Sequence, residues 1–208
     1  MADSADGRYS FTASMHARRR VLIGVAGTVT GVATLAGIYP FLASLWPSER
    51  AKVAGGAVQV DVSKLEPGQQ IAVEWRGRQV WVLRRTEEML RRMAAADHRE
   101  RLSDPDSTVT SQQPVYAQND TRSLHPEHLV VIGICTHLGC VPGFRPDIAP
   151  ADLGATWDGG YYCPCHGSRF DFAGRVHKNV PAPTNLVIPP HRYLSDTQID
   201  IGIASTDA

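Results

Sequence analysis

Two short stretches decide how this chain is read: Cys135-Thr136-His137-Leu138-Gly139-Cys140 and Cys163-Pro164-Cys165-His166-Gly167-Ser168. They hold all 4 cysteines of the 208 residues, and each offers two thiols and one imidazole. Structural zinc takes four N/S ligands, usually in pairs spaced by two or more residues, whereas only Thr136 separates Cys135 from His137. A plain disulfide framework gives no reason for a histidine at a matched place in each stretch. An asymmetric 2Fe–2S cluster, with one iron on two thiolates and the other on two imidazoles, calls for Cys-x-His and Cys-x-x-His pairs of this kind. A zinc-binding interaction module is the non-redox alternative.

Outward from these stretches, Val131-Ile132-Gly133-Ile134 leads into the first, which runs on through Val141-Pro142. Gly159-Gly160-Tyr161-Tyr162 leads into the second, and Pro181-Ala182-Pro183 with Asn185-Leu186 follows it. From Glu127 to His191 the chain resembles the cluster-binding part of the Rieske subunits of ubiquinol–cytochrome c reductase, of bacterial type. The resemblance implies a mainly β fold, with an antiparallel β-sheet head and a small cluster-binding subdomain at about 127–191. It implies one 2Fe–2S cluster, with Cys135 and Cys163 on the inner iron and His137 and His166 on the outer one. It also implies a Cys140–Cys165 disulfide, a Ser168 hydroxyl donating toward a cluster sulfide, and a proline loop covering a third side. In function it implies electron transfer from quinol bound in cytochrome b to a c-type cytochrome, within a dimeric complex. His166 would take the quinol proton as the catalytic residue, with Leu138 and Pro181 on the docking surface. Two positions depart from the family: Phe170 stands where many members have tyrosine, and Val180 replaces a glycine before Pro-Ala-Pro. The functional alternative is the small Rieske subunit of a periplasmic oxidase such as arsenite oxidase.

Lys and Arg number 21 and Asp and Glu 21, so the net charge is zero, which argues against nucleic acid as a partner. Val21 to Ser48 carries no charged side chain. About 20 apolar residues cross the hydrocarbon core, so residues 21–47 are expected to form one N-terminal transmembrane helix, kinked or ended at Pro40. The run exceeds the apolar core of a cleavable signal peptide. Arg18-Arg19-Arg20 before it places residues 1–20 in the cytoplasm by the positive-inside rule and resembles a twin-arginine export signal. Asp3 and Asp6 argue against a mitochondrial transit peptide. The expected location is therefore a bacterial inner membrane, with a periplasmic head where a disulfide persists.

Residues 48–57, rich in Ala and Gly, suit a flexible hinge, leaving 58–208 as the head. Val58–Val62 alternates as a half-buried strand should. Ile71–Trp75 and Gln79–Leu83 flank Arg76-Gly77-Arg78 as a hairpin. Thr86–Ala96 is the one expected helix, N-capped by Thr86. Ser103–Asp120 reads as a loop, His125–Ile134 as a strand, and Ile188–Ile203 as closing strands.

Overall fold

The computed structural model describes residues 6–48 and 55–204. Residues 49–54, most of the expected hinge, and residues 1–5 lie outside the described residues. The chain divides into two units, Met1–Lys52 and Val53–Ala208.

The first unit is the helix α1 (Asp6–Ser44). Within its Met15–Ser44 stretch an 18-residue window reaches a mean hydropathy of 2.0, and the helix is long and apolar enough to cross a membrane. Leu35 and Phe41 are 71% and 75% exposed, as a helix that is apolar all round requires of a non-aqueous solvent. Hydroxyls inside it turn back on its own carbonyls: Thr28 Oγ1 donates to Gly24 O at 2.9 Å, and Thr34 Oγ1 to Thr30 O at 2.8 Å. The helix does not end at Pro40 but continues to Ser44. A proline removes only one ladder hydrogen bond, and membrane helices tolerate that loss where neighbouring groups re-satisfy the freed carbonyl.

The head runs β1 (Val58–Asp61), β2 (Gln70–Trp75), β3 (Arg78–Arg84), α2 (Glu87–Met93), α3 (Ala96–Glu100) and β4 (His128–Ile132). It continues through β5 (Gly143–Arg145), β6 (Gly160–Tyr162), β7 (Arg169–Phe170), β8 (His191–Ser195) and β9 (Gln198–Ile201). Three antiparallel sheets result, ordered β1-β9-β8, β2-β3-β4 and β5-β6-β7.

The middle sheet explains the arrangement. All of β4 is buried, and successive side chains of a strand point to opposite faces. Val80, Val82, Val130 and Ile132 face one core, closed by Val60, Ile199 and Ile201 of the β1-β9-β8 sheet. Trp81, Leu83, Leu129 and Val131 face the other, which holds Cys135, Tyr161, Cys163 and Phe170. One sheet thus backs both the base of the head and the cysteine loops.

The hairpin turns at Arg76 and Gly77, with φ of 51° and 70°, the type I′ geometry that matches strand twist. The helix expected over Thr86–Ala96 is two helices. Thr86 Oγ1 caps the first by accepting from Met89 N at 3.2 Å, but Ala95 is extended (φ −67°, ψ 137°) and α3 starts anew. The break turns His98 into the protein, where it is 2% exposed. The 103–120 loop contains two 3-10 turns, Thr110–Gln112 and Val115–Ala117.

Gly133, between β4 and the first cysteine loop, lies so close to the Trp81 indole that an added Cβ would overlap it. Trp81 in turn stacks on Tyr161 at 5.0 Å. Gly133→Ala should therefore destabilise the head by about 1–3 kcal/mol, the usual cost of overpacking. Thermal unfolding checks this, with a lowered Tm expected and an unchanged Tm against it.

Candidate metal centre

The two cysteine stretches fold into loops closed by the same backbone hydrogen bonds. Cys135 N–H donates to Cys140 O at 2.8 Å and Gly139 N–H to Cys135 O at 3.0 Å. In the second loop Cys163 N–H donates to Ser168 O at 2.8 Å and Gly167 N–H to Cys163 O at 2.9 Å. The fifth residue of each is a glycine at positive φ, 83° at Gly139 and 78° at Gly167, a conformation that penalises a Cβ. A Cys140–Cys165 disulfide joins the loops, with Cα atoms 6.7 Å apart. The proline loop is tied to both: Thr136 Oγ1 donates to Thr184 O at 2.7 Å, and Ala182 N–H donates to Ser168 Oγ at 3.1 Å.

The remaining thiols, Cys135 and Cys163, are unpaired and 2% and 1% exposed. Burial pushes the Cys163 thiol up, the N–H groups of Cys165 and His166 pull it back, and the adjacent Cys135 thiol pushes it up again. Two thiolates side by side in an apolar core need a cation to hold them, because buried charge without a partner is costly. The His137 and His166 rings stand 4.8 Å apart at 89°. His137 Nδ1 is buried without a hydrogen-bond partner, as a nitrogen that serves a metal should be. Two buried thiols, an orphaned imidazole nitrogen and a facing second imidazole fit the donor set of a 2Fe–2S cluster of the histidine-ligated type. The sulfurs of Cys140, Cys163 and Cys165 also lie within 4.8 Å of one another, but the disulfide leaves two of these without a thiolate to offer.

The site is apolar behind and open in front. Phe170 is fully buried in the core that contains Cys135 and Cys163, as are Tyr161 and Phe172. Leu138 is 70% exposed, and Pro181 and His166 are exposed too. Ser168 is buried with its oxygen accepting from Ala182, which leaves its hydroxyl hydrogen to donate.

Sequence reasoning missed the polar support behind the second loop. Asp171 is fully buried and accepts from Ala173 N, Arg175 N and Arg175 Nε at 2.9, 2.7 and 2.7 Å. His98 Nε2 meets its Oδ2 at 3.1 Å, and His98 Nδ1 meets Asp158 Oδ2 at 2.7 Å. Arg85 and Arg122, also buried, donate to Phe172 O at 3.4 Å and Ala173 O at 3.1 Å. These groups are far apart in sequence and have no motif spacing. The legible signal was at most Asp171 with Gly174, which reads as a turn.

Comparison with known proteins agrees with this geometry. Residues 57–190 match the family described as the Rieske [2Fe-2S] domain. The ubiquinol–cytochrome c reductase iron–sulfur subunit of Allochromatium vinosum is 57% identical over 185 residues, spanning 89% of this chain and 88% of that one. The same-named subunit of Bradyrhizobium diazoefficiens is 37% identical over 185 residues, covering 89% and 94%. That of Rickettsia conorii is 35% identical over 202 residues, covering 97% and 100%. With the loops, the disulfide and the buried thiols in place, the chain belongs to the Rieske [2Fe-2S] family, among the iron–sulfur subunits of ubiquinol–cytochrome c reductase.

Proposed function

We propose that this chain is the electron-transferring subunit of a quinol–cytochrome c oxidoreductase. It takes an electron from quinol held in cytochrome b and passes it to a c-type cytochrome in a dimeric complex. One observation carries the reading: the thiols are buried while the imidazole side of the same site is open, with His166 exposed beside exposed Leu138. The relatives' names supply the reaction class, since each is a ubiquinol–cytochrome c reductase subunit.

Cys135, Cys163, His137 and His166 are the residues that would hold the cluster. Bound there, a cluster of this ligation supplies a one-electron acceptor at about −150 to +300 mV, well above ferredoxin potentials. His166 hydrogen-bonds the quinol hydroxyl and accepts its proton at a ring nitrogen that faces solvent. Cys135 and Cys163 are kept dry by Tyr161, Phe170 and Phe172, which limits dielectric screening around the site. Ser168 donates its free hydroxyl hydrogen toward the cluster. Leu138 and Pro181 form the apolar contact with cytochrome b. Residues 21–47, helical to Ser44, are the single-pass anchor, residues 48–57 are the tether, and the head lies on the periplasmic side of a bacterial inner membrane. Arg18-Arg19-Arg20 sets that orientation and directs export of the folded head.

Leu138→Asp tests the docking role without touching a ligand. A buried leucine contributes about 1.5–3 kcal/mol, so quinol–cytochrome c turnover at limiting quinol should fall about tenfold or more. The visible spectrum should be unchanged. Unaltered turnover, or co-purification with a molybdenum subunit in place of cytochromes b and c, would contradict the reading.

Phe170 supplies a second test. Hydrogen bonds to the sulfurs help set cluster potential, and a phenylalanine donates none. Phe170→Tyr should raise the midpoint potential in a redox titration, because donation favours the more negative reduced form. An unmoved midpoint with the cluster intact would mean that the hydroxyl does not reach a ligating sulfur.

A further inference from the structure

His98 lies in α3, 2% exposed, and the function described above makes no use of it. Its Nδ1 is 2.7 Å from Asp158 Oδ2 and its Nε2 is 3.1 Å from Asp171 Oδ2. An ionised carboxylate only accepts hydrogen bonds, so both ring nitrogens must donate and the ring is an imidazolium. Asp171 itself stands at the exit of the second cysteine loop. It directly follows Phe170, which shares an apolar core with Cys135 and Cys163. Asp171 N–H also donates to Arg175 O at 2.9 Å, closing the turn that returns the chain to His177.

We propose that His98 is a positioning residue of the electron-transfer site: a buried cation that braces the exit of the second loop and holds the cluster's midpoint potential up. This rests on the Rieske reading given above. The charge count gives the direction. Asp158 and Asp171 (−2) are balanced by Arg101 and Arg175 (+2), so His98 leaves +1 and a neutral residue at 98 leaves 0. A positive charge across an apolar core is weakly screened and favours the reduced cluster, which carries one more negative charge.

Asp158, Asp171 and His177 face His98 and keep their charge states over the pH range that matters. Burial acts against charge on Asp158 and Asp171, but His98 and the nearby arginines hold both below the usual carboxylate range. His177 meets the His98 ring edge-on at 6.0 Å, and burial holds it neutral, lowered to about 4. Arg101 Nη2 pairs with Asp158 at 2.7 Å and with Asp97, on the same helix as His98, at 3.5 Å. Arg175 Nε pairs with Asp171 at 2.7 Å. Arginine side chains are permanently charged, which leaves the His98 imidazolium as the charge that is lost on the alkaline side of neutrality. Burial opposes its charge, but its hydrogen bonds to Asp158 and Asp171 outweigh this and raise it to about 9. Because the folded value lies above the ordinary 6.5, the stabilisation is fully present below pH 6.5 and is lost as pH rises through about 9.

The test is a potentiometric titration of the full-length chain in its complex, parent beside His98→Gln, from pH 6 to 10. The variant should have the lower potential at pH 7, and the gap should close by pH 10 as the parent loses its own proton. Alkaline change at the ligands is common to both proteins and cancels in the difference. Equal potentials at pH 7, or a gap constant from pH 6 to 10, would overturn the proposal, since a merely structural role gives no pH-dependent gap. His98→Arg, permanently charged, serves if the glutamine variant fails to hold its cluster. It should match the parent at pH 7 and exceed it at pH 10, and a fall parallel to the parent's would overturn the proposal. Should the parent itself carry no Rieske cluster, the functional reading fails. The brace is then tested by Tm: an advantage of parent over His98→Gln at pH 6 that vanishes by pH 10 supports it, and no advantage overturns it.

Discussion

Cys135 and Cys163 face each other at the floor of the site, almost wholly out of water, and an ionised pair there is untenable without a cation between the sulfurs. Much of the surrounding structure serves that pair. The middle sheet presents Trp81, Leu129 and Val131 to the core in which they lie. The disulfide and the two glycine-closed loops fix their approach, and the proline loop is pinned across both by Thr136 and Ser168. The imidazoles lie on the outer side of the same loops. One construction thereby joins a dry floor of thiols to a face open to solvent at His166.

The head divides this work between layers. The β1-β9-β8 sheet and the outer face of β2-β3-β4 make an apolar base that holds none of Cys135, His137, Cys163 and His166. The inner face carries the site, and the charge that balances it is carried by arginines with carbonyl and carboxylate partners. Arg85, Arg122 and Arg175 are buried around the 171–175 turn; Arg85 and Arg122 each have several donors satisfied, and Arg175 pairs through Nε with Asp171. Buried guanidinium groups are tolerable only in such settings. They make the turn behind the second loop stiff and its electrostatics positive.

Much of this was legible in the residues. The cysteines and matched histidines of the two stretches marked the loops, because each stretch offers two thiols and one imidazole, a donor set that neither zinc spacing nor a plain disulfide framework explains. The β2–β3 hairpin and β1 followed from period-2 alternation, and the anchor from an uncharged run. Other features were hidden for physical reasons. Nothing in a run of alanines marks the extended Ala95 that splits α2 from α3, because alanine favours helix on both sides of it. The His98–Asp158–Asp171 bridge joins three separate segments, and Arg85 and Arg122 look like surface cations until tertiary contacts bury them. Helix continuation past Pro40 was likewise illegible, since proline reads as a breaker by its local chemistry alone.

The central claim is that the paired thiols and facing imidazoles hold a histidine-ligated 2Fe–2S cluster. The direct measurement is metal and sulfide analysis of the purified chain, with electron paramagnetic resonance after reduction. The account predicts about two irons and two acid-labile sulfides per chain, as a 2Fe–2S centre requires. The reduced protein should show a signal distinct from that of an all-cysteine ferredoxin. A colourless protein with stoichiometric zinc and no signal on reduction would contradict it.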